Sequence, residues 1–355
     1  MLLGCSKVEE ISCILKSLNI KCENVTVEET QYFDKYDVRL SPGVKHAKLE
    51  KALPDIGMAL KAQSSPIGYP VMRKGIFRIE VQKRELESRP YDAAKSMRRE
   101  GYAPISLGVD NYGSDFSIDL QSLPNLLIGG TPGSGKSMLL HSIILSLIEE
   151  NAKLYLVDPK MVEFNIYEGT KSVVGIEHSV EGVYDIIESA TQIMNSRFER
   201  LSNKGYRDVL SYNADARTPM RPVVIIVDEW ADIILQDKKI QKPLCVIAQK
   251  GRAAGVSVIL ATQRPSSEVI PGLIKANFSG RIALRVASYR DSMIILDQKG
   301  GEKLRDVGTG LYMDHKRSEP VLFRSPYIED LVKERNASED DYEEANPTWF
   351  KRLFR

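Results

Sequence analysis

One stretch restricts the fold of this 355-residue chain most: NLLIGGTPGSGKSMLL, from Asn125 to Leu140. It opens with a short apolar run typical of a buried strand, is interrupted by glycines, and continues as an apolar run of helical length. The residues between the two runs fit G-x-x-x-x-G-K-[ST], the P-loop, whose glycines let backbone N–H groups surround a phosphate. This predicted phosphate loop comprises Gly130, Thr131, Pro132, Gly133, Ser134, Gly135, Lys136 and Ser137.

The last two residues of the loop have predicted roles in binding ATP and Mg²⁺. In this pattern the Lys136 ammonium reaches the β- and γ-phosphates, and the Ser137 hydroxyl holds Mg²⁺. The positive end of the following helix attracts the same phosphates. A chance match in a glycine-rich turn is the alternative, and the strand before and helix after the loop argue against it.

Two acids follow another predicted strand, which runs from Val223 to Val227. Parallel α/β sheets bind ligands at the carboxyl ends of their strands, which is where Asp228 and Glu229 would lie. Asp228 suits the Mg²⁺ shell, and Glu229 suits polarising the water that attacks the γ-phosphate. Helix capping is the alternative for Asp228 taken alone.

Polar residues also end two further predicted strands. Gln263 follows the run from Val256 to Leu260, where its amide would lie beside the γ-phosphate and couple phosphate loss to movement. A solvated turn residue is the alternative. Asp158 follows the run from Leu154 to Val157 and either contacts the nucleotide or caps a turn. We assign it to the nucleotide site as a hypothesis that the sequence alone does not decide.

The composition narrows the class of protein and its partners. With 49 basic and 48 acidic residues the net charge is +1, so any contact with nucleic acid must come from a local patch. The four cysteines include no CxxC pair, which indicates a reducing compartment. No apolar run approaches the ~20 residues of a membrane span. These features predict a cytoplasmic protein of roughly two domains.

The pattern of elements divides the chain into three segments. The pattern of apolar residues in 1–105 predicts an α+β module, with a charged connector from Lys83 to Glu100. Residues 106–328 alternate apolar strands with helices, which predicts a parallel, doubly wound sheet. Residues 329–355 form an acidic tail that ends in an aromatic and basic peptide. This peptide either docks on a partner protein, frays, or packs as a final helix on its own chain.

Several motifs resemble the motor domain of the FtsK/SpoIIIE DNA translocases, and together they span roughly Leu107 to Leu322. A weaker likeness is the turn SPGVK at Ser41 to Lys45, which resembles the small α domain that precedes the motor. The motor motifs are VDPKMVEFNIYEG (Val157 to Gly169), VDEWAD (Val227 to Asp232), AQKGRAAGVSVILATQRPS (Ala248 to Ser266), GLIKAN (Gly272 to Asn277) and ILDQKGGEKLRDVGTGLYM (Ile295 to Met313).

The resemblance implies a RecA-like core that forms a ring, usually a hexamer, around double-stranded DNA, with ATP between subunits. Arg252 falls where the family has its trans-acting arginine, although an ordinary surface arginine is the alternative. Arg264 and Lys275 fall where family members contact the DNA backbone from the pore.

Two other pore positions depart from the family pattern, because Tyr289 and Met293 stand where chromosome translocases carry basic residues. Arg285 and Arg290 are predicted to compensate as DNA contacts. The sequence also shows neither the N-terminal membrane anchor nor the C-terminal winged-helix domain usual in those proteins. We therefore expect a stand-alone motor, such as one carried by a plasmid, phage or other mobile element.

The leading hypothesis is an ATP-driven translocase of double-stranded DNA. Two alternatives in the same superfamily are a coupling ATPase for conjugation or packaging and a protein-secretion motor, which the basic pore positions disfavour. A non-catalytic ring scaffold is a further class, and the presence of Lys136, Ser137, Asp228 and Glu229 argues against it.

Overall fold

The structure is a computed structural model that describes residues 6–30, 33–62, 66–71, 74–83, 89–91, 101–317 and 319–328. Within these residues the chain forms a four-stranded sheet from its first part and a ten-stranded sheet from the remainder. The predicted connector lies mostly outside the described residues, and the tail 329–355 lies wholly outside them. The role predicted for the C-terminal peptide therefore stays a prediction.

The first unit packs three helices on an antiparallel sheet, as the predicted α+β module requires. Its elements are α1 (Lys7–Ser17), β1 (Cys22–Glu29), β2 (Phe33–Leu40), α2 (His46–Lys51), α3 (Leu53–Ala59), β3 (Ile67–Val71) and β4 (Ile76–Gln82). The strand order is β1-β2-β4-β3, and every neighbouring pair is antiparallel. The helical stretch after Lys45 divides in two, because Pro54 lies in the first turn of α3, where its missing N–H costs nothing.

The second unit begins at Pro104 and contains the phosphate loop. Its elements are β5 (Pro104–Asp110), β6 (Asp115–Asp119), β7 (Asn125–Gly129), α4 (Lys136–Glu149), β8 (Lys153–Val157), β9 (Val173–Glu177), α5 (Val180–Asn203), α6 (Val209–Asp215), β10 (Val223–Val227), α7 (Trp230–Ile234), α8 (Gln241–Ala254), β11 (Val256–Thr262), α9 (Gly272–Asn277), β12 (Gly280–Ala283), α10 (Tyr289–Leu296), β13 (Thr309–Met313) and β14 (Val321–Arg324).

The large sheet is parallel over one part and antiparallel over the other. Its order is β6-β5-β14-β13-β12-β7-β11-β10-β8-β9. The strands from β12 to β9 pair in parallel, which confirms the predicted α/β core. Strands β13, β14, β5 and β6 extend it in antiparallel pairs that the sequence analysis did not predict. The central sheet is therefore mixed and not purely parallel.

Helices cover both faces of the sheet, so the apolar strands are buried on both sides. Along β10, Val223, Ile225 and Val227 face the core that holds residues of α5 and α8. Val224 and Ile226 face the opposite core, against α4. Because the central strands run parallel, the loops after β7, β8, β10, β11 and β12 all emerge at one edge of the sheet. That edge, called here the carboxyl edge, carries the predicted ATP site.

The two units share a buried apolar cluster, which Phe33, Ile67 and Val71 of the first unit enter, and they are also joined by polar contacts. Arg78 of β4 forms an ion pair with Glu319, which precedes β14. The Thr30 hydroxyl, just after β1, donates to the carbonyl of Asn111 at 2.9 Å. Lys299, after α10, pairs with Glu50 of α2 at 2.8 Å. The smaller unit is therefore attached along the antiparallel side of the large sheet and near α10.

Candidate functional site

The phosphate loop has the backbone shape that its glycines permit. Gly133 and Gly135 have φ angles of +71° and +96°, a region that other residues rarely adopt. A Cβ on Gly135 would lie 2.7 Å from the backbone nitrogen of Gly308. The same Gly308 N–H donates to the carbonyl of Ser134 at 2.8 Å. The segment before β13 therefore supports the loop from the side, and only glycine fits at position 135.

Donor groups inside the loop fit a bound anion. Gly135 is the N-cap of α4, and no side chain in the described part of the chain caps this helix end. The Ser134 hydroxyl oxygen is buried and has no hydrogen-bond partner among the described residues. Uncapped N–H groups at the positive end of a helix, beside a buried hydroxyl, fit the oxygens of a phosphate. The loop is thus suited to the phosphates of ATP.

Lys136 and Asp228 form a buried ion pair across the carboxyl edge. The Lys136 side chain is 3% exposed and the Asp228 side chain 4%. The Lys136 ammonium donates to the carbonyl of Asp228 at 2.7 Å and also to its carboxylate. The structure therefore brings the predicted phosphate-binding lysine and the predicted Mg²⁺ acid within one hydrogen bond. Both oxygens of that carboxylate and the Ser137 hydroxyl are hard ligands of the kind Mg²⁺ prefers.

Glu229 is fixed by residues at the end of the neighbouring strand β11. Its side chain accepts from the Thr262 hydroxyl at 2.6 Å and from the Gln263 backbone N–H at 2.9 Å. It also caps α7 through the N–H of Ala231 at 3.4 Å. Thr262 was not predicted as a site residue, although it directly precedes Gln263 in the sequence. The Gln263 side chain is half-buried, and its predicted part in sensing phosphate stays a prediction.

Asp158 is buried and binds the loop that follows β8. Its carboxylate accepts from the backbone N–H groups of Lys160 at 3.3 Å, Glu163 at 2.8 Å and Phe164 at 3.0 Å. These contacts match the turn-capping alternative for this residue. Its predicted contact with the nucleotide stays a prediction, and the loop that it organises carries Glu163 towards α4.

Glu163 was not predicted, yet it contacts the phosphate-loop helix directly. The Ser137 hydroxyl donates to Glu163 Oε1 at 2.8 Å. Glu163 Oε2 lies 3.4 Å from Nε2 of His141, a buried residue of the same helix. The only signal in the sequence was the position of Glu163 inside the VDPKMVEFNIYEG motif, whose chemistry no spacing rule reveals.

Arg285 lies against the phosphate loop and not with the other predicted DNA contacts. Its guanidinium donates to the carbonyl of Gly133 at 3.3 Å, and its own carbonyl accepts from the Thr131 N–H at 2.9 Å. The reason is the strand order, because β12 neighbours β7 and ends at the same edge. The geometry therefore puts Arg285 beside the phosphate loop, and its predicted contact with DNA stays a prediction.

Lys275 and Arg290 lie on two neighbouring helices, α9 and α10. The Lys275 ammonium donates to the Met293 carbonyl at 3.0 Å and pairs with Asp297, which ends α10. Arg281 pairs with the same carboxylate. Arg290 is exposed, and the non-basic Tyr289 and Met293 are also exposed on α10, by 51% and 40%. We call these two helices the α9–α10 surface.

Arg264 and Arg252 lie in different places from that pair. Arg264 follows Gln263 at the carboxyl edge, and its side chain is exposed. Arg252 lies in the last turn of α8, and its guanidinium donates to the Gln121 carbonyl at 3.1 Å. Gln121 precedes β7, so Arg252 lies at the amino edge of the sheet, opposite the phosphate loop of its own chain. No helix in the described part of the chain is long and apolar enough to cross a membrane.

Two bacterial DNA translocases match most of this chain. The DNA translocase FtsK of Caldanaerobacter subterraneus subsp. tengcongensis is 32% identical over 333 residues, covering 91% of this chain and 47% of that protein. The DNA translocase SftA of Bacillus subtilis is 33% identical over 347 residues, covering 91% of this chain and 36% of that protein. This chain thus spans about half, or less, of the length of these relatives.

Two solved structures share the fold. The pCW3 conjugation coupling protein TcpA, determined with ATPγS, superposes with a TM-score of 0.66 at 22% identity, covering 93% of this chain and 99% of that one. The type VII secretion ATPase EccC of Thermomonospora curvata gives a TM-score of 0.58 at 26% identity, covering 66% of this chain and 30% of that one. The fold is accordingly the RecA-like P-loop fold that the sequence predicts.

The family model for FtsK/SpoIIIE matches residues 88–267, a segment that runs from before β5 to the loop after β11. That segment contains the phosphate loop, the Asp228–Glu229 pair and Gln263, which the sheet brings together at its carboxyl edge. On this match and the extended identity to the translocases, the chain belongs to the FtsK/SpoIIIE family.

Proposed function

We propose that this chain is an ATP-hydrolysing motor that moves double-stranded DNA through a ring of identical subunits. One observation carries most of the proposal: Lys136, Asp228 and Glu229 are buried together beside a loop whose donors fit phosphate. The names of the relatives, DNA translocases FtsK and SftA, supply the substrate class. The ATPase activity, the DNA substrate and the ring are all parts of this proposal.

The side chains suit hydrolysis of the β–γ phosphoanhydride. Bound Mg²⁺ would neutralise charge on the β- and γ-phosphates, with Asp228 and Ser137 holding it. Lys136 lies where its ammonium can exchange the Asp228 oxygens for phosphate oxygens. Among the described residues, Glu229 Oε2 accepts a hydrogen bond only from the Gln263 N–H. A second lone pair on that oxygen is then available to take a proton from the attacking water.

The position of Arg252 supports a site shared between subunits. Strand β11 separates Arg252 from the carboxyl edge, and its seven residues extend over about 20 Å. An arginine at the amino edge therefore does not reach the phosphate loop of its own chain. A head-to-tail ring would place the amino-edge surface of one subunit against the ATP site of the next, where Arg252 would stabilise transition-state charge. We propose that the ring is a hexamer, the usual ring size in this family.

The DNA contacts are proposed for Arg264 and the α9–α10 surface. Few basic residues per chain suffice, because ring symmetry multiplies them, and this accommodates a net charge of +1. Lys275 and Arg281 share the Asp297 carboxylate, so a DNA phosphate would take the place of that carboxylate on Lys275. If the protein contacts only the phosphates of the DNA, its movement along DNA should be largely independent of the base sequence.

The alternatives are a coupling ATPase for conjugation or packaging and a secretion motor, all with the same ATP chemistry. ATP turnover of the purified chain, measured with and without linear double-stranded DNA, separates the motors that act on DNA from a secretion motor. Stimulation by DNA is expected, together with loss of turnover in Lys136→Ala at any DNA concentration. Turnover that DNA leaves unchanged would contradict the translocase. Turnover retained in Lys136→Ala would instead show that the ATP site is elsewhere.

A further inference from the structure

We infer that Glu163 is a positioning residue for the metal-binding hydroxyl of Ser137. This inference rests on the proposed function, because it concerns the Mg²⁺·ATP site of that function. It gives the VDPKMVEFNIYEG motif a role that neither the P-loop pattern nor the strand-end acids provide.

The Ser137 hydroxyl donates its proton to Glu163. The distance from Ser137 Oγ to Glu163 Oε1 is 2.8 Å. A serine hydroxyl has one proton and two lone pairs, so donating the proton to Glu163 leaves the lone pairs to face a metal ion. A carboxylate is a stronger acceptor than a neutral group, and its charge increases the electron density on the oxygen that binds the metal. The Glu163 side chain thus orients Ser137 and makes it a better ligand.

Residues of α4 hold the second oxygen of Glu163 in place. His141 lies four residues after Ser137, so both face the same side of the helix. Its Nε2 is 3.4 Å from Glu163 Oε2, and its Nδ1 is 2.8 Å from the Tyr167 hydroxyl. Both His141 and Tyr167 are almost fully buried, at 2% and 0% exposure. The imidazole therefore has one position, and it directs Glu163 towards Ser137.

The loop after β8 holds Glu163 from the other side. The buried carboxylate of Asp158 accepts from the backbone N–H groups of Glu163 and Phe164. The Phe164 ring packs edge-on against His141, with 6.4 Å between ring centroids. Backbone and side chain of Glu163 are therefore fixed by separate elements. A residue that orients a metal ligand must itself be held in place. Substituting such a residue typically lowers metal affinity about 10- to 100-fold.

The alternative is that Glu163 only ties the loop to α4 and has no effect on the metal. The two roles differ in which affinity they change. If Glu163 only connects the loop to α4, its substitution should lower nucleotide affinity equally with and without metal. If it positions Ser137, its substitution should lower only the part of the affinity that the metal contributes. The Glu163→Gln substitution tests this, because it keeps the shape and an acceptor oxygen while removing the charge.

The experiment uses the full chain and measures binding in place of turnover. ATPγS affinity is determined by calorimetry with Mg²⁺ and with a chelator, and Mn²⁺ affinity by electron paramagnetic resonance with ADP present. In Glu163→Gln we expect Mn²⁺ affinity to fall about 10- to 100-fold while metal-free ATPγS affinity stays unchanged. Glu168→Gln is the matched control, since Glu168 is an exposed glutamate in the same loop. It should change neither affinity.

The possible results separate this inference from the proposed function. Native Mn²⁺ affinity in Glu163→Gln, or an equal loss with and without metal, would overturn the positioning role alone. A native protein in which metal adds nothing to ATPγS binding would overturn the Mg²⁺·ATP site itself. If Glu163→Gln does not fold, Glu163→Asp retains the charge at shorter reach. The inference then expects a smaller loss of Mn²⁺ affinity, and unchanged affinity contradicts it.

Discussion

The charges of the ATP site and those of the α9–α10 surface are held in opposite ways. In the ATP site, Lys136, Asp228 and Glu229 are buried, and each has hydrogen bonds from its own chain. On the α9–α10 surface, Lys275 pairs with Asp297, whose side chain is 59% exposed. Breaking a buried pair leaves an uncompensated charge, whereas an exposed pair exchanges its partner at little cost.

This difference matches what the two regions are proposed to do. A hydrolytic site needs groups that return to the same geometry in every cycle, since a misplacement of about 1 Å can lower the rate about 100-fold. A surface that follows DNA needs contacts that form and break with each step. The weak pairs that Asp297 makes are suited to that exchange. Substitutions in the two regions should therefore have effects of different kind and size.

The largest expected effect concerns the completion of the buried site by a neighbouring subunit. Arg252→Ala and Glu229→Gln should each lower ATP turnover about 10²- to 10³-fold, because each removes a group that acts on the transition state. When the two variants are mixed, some interfaces combine an intact Arg252 with an intact Glu229. Turnover of the mixture should therefore recover to a measurable fraction of the native rate.

The control for this experiment is Arg200→Ala, which removes another exposed arginine from the last turn of α5. It should leave turnover unchanged both alone and in mixtures with the native chain. A mixture of Arg252→Ala and Glu229→Gln that is no more active than either variant would contradict action across the subunit boundary. Arg252 would then be an ordinary surface residue.

A smaller effect should separate two arginines that the sequence assigned to the same task. Arg264→Ala should reduce the salt dependence of duplex DNA binding by about one phosphate contact per chain and leave ATP affinity unchanged. Arg285→Ala should weaken ATP binding about tenfold, because the Arg285 guanidinium holds the Gly133 carbonyl of the phosphate loop. Fluorescence anisotropy of labelled DNA at several salt concentrations and calorimetry with ATPγS give the two affinities.

The two variants serve as controls for each other. If Arg285→Ala instead reduces the salt dependence of DNA binding as much as Arg264→Ala does, the sequence-based assignment of Arg285 is right. The ATP site and the DNA contacts would then share this arginine, and the comparison between the two regions would fail at that point.

The case of Arg285 shows which part of the site a sequence can reveal. Lys136, Asp228 and Glu229 were predictable because each follows an apolar strand, and parallel strands end at the same edge. The order of the strands within the sheet cannot be predicted in this way. Arg285 follows β12, and only the sheet order shows that β12 lies beside β7. The density of basic residues along the sequence suggested a DNA contact for Arg285, whereas its contact with the phosphate loop became visible only in the fold.

Hydrogen bonds between residues that are distant in the sequence could not be predicted either. Thr262 and Glu163 act on residues far away in the sequence, and neither belongs to a spacing rule. Two of the strands that the sequence analysis missed, β6 and β9, are exposed or half-buried along their whole length and lack continuous apolar runs. The fully buried strands β7, β10 and β11 were found, since burial on both faces produces such runs.

The smallest expected effect tests whether buried charge outside the ATP site matters for activity at all. Glu80 of β4 is 5% exposed and accepts from the Tyr69 hydroxyl at 2.9 Å. Burial raises the pKa of its carboxyl, and the nearby Lys35 and the Tyr69 hydrogen bond do not offset this. A carboxyl whose pKa is higher in the folded than in the unfolded protein destabilises the fold once both forms are ionised. That cost disappears as the pH falls through the folded pKa and then the unfolded pKa.

Glu80→Gln should therefore increase the free energy of unfolding at pH 7 by about 1 kcal/mol, the usual size of a single substitution. The gain should shrink as the pH is lowered towards 4, because protonation of the native carboxyl removes the cost of burying its charge. Urea unfolding at both pH values measures it. ATP turnover and DNA affinity should stay native, because the Glu80 carboxylate contacts neither region. A loss of turnover would mean that the smaller unit acts on the ATP site. The comparison between the buried ATP site and the α9–α10 surface would then leave out a third region that affects activity.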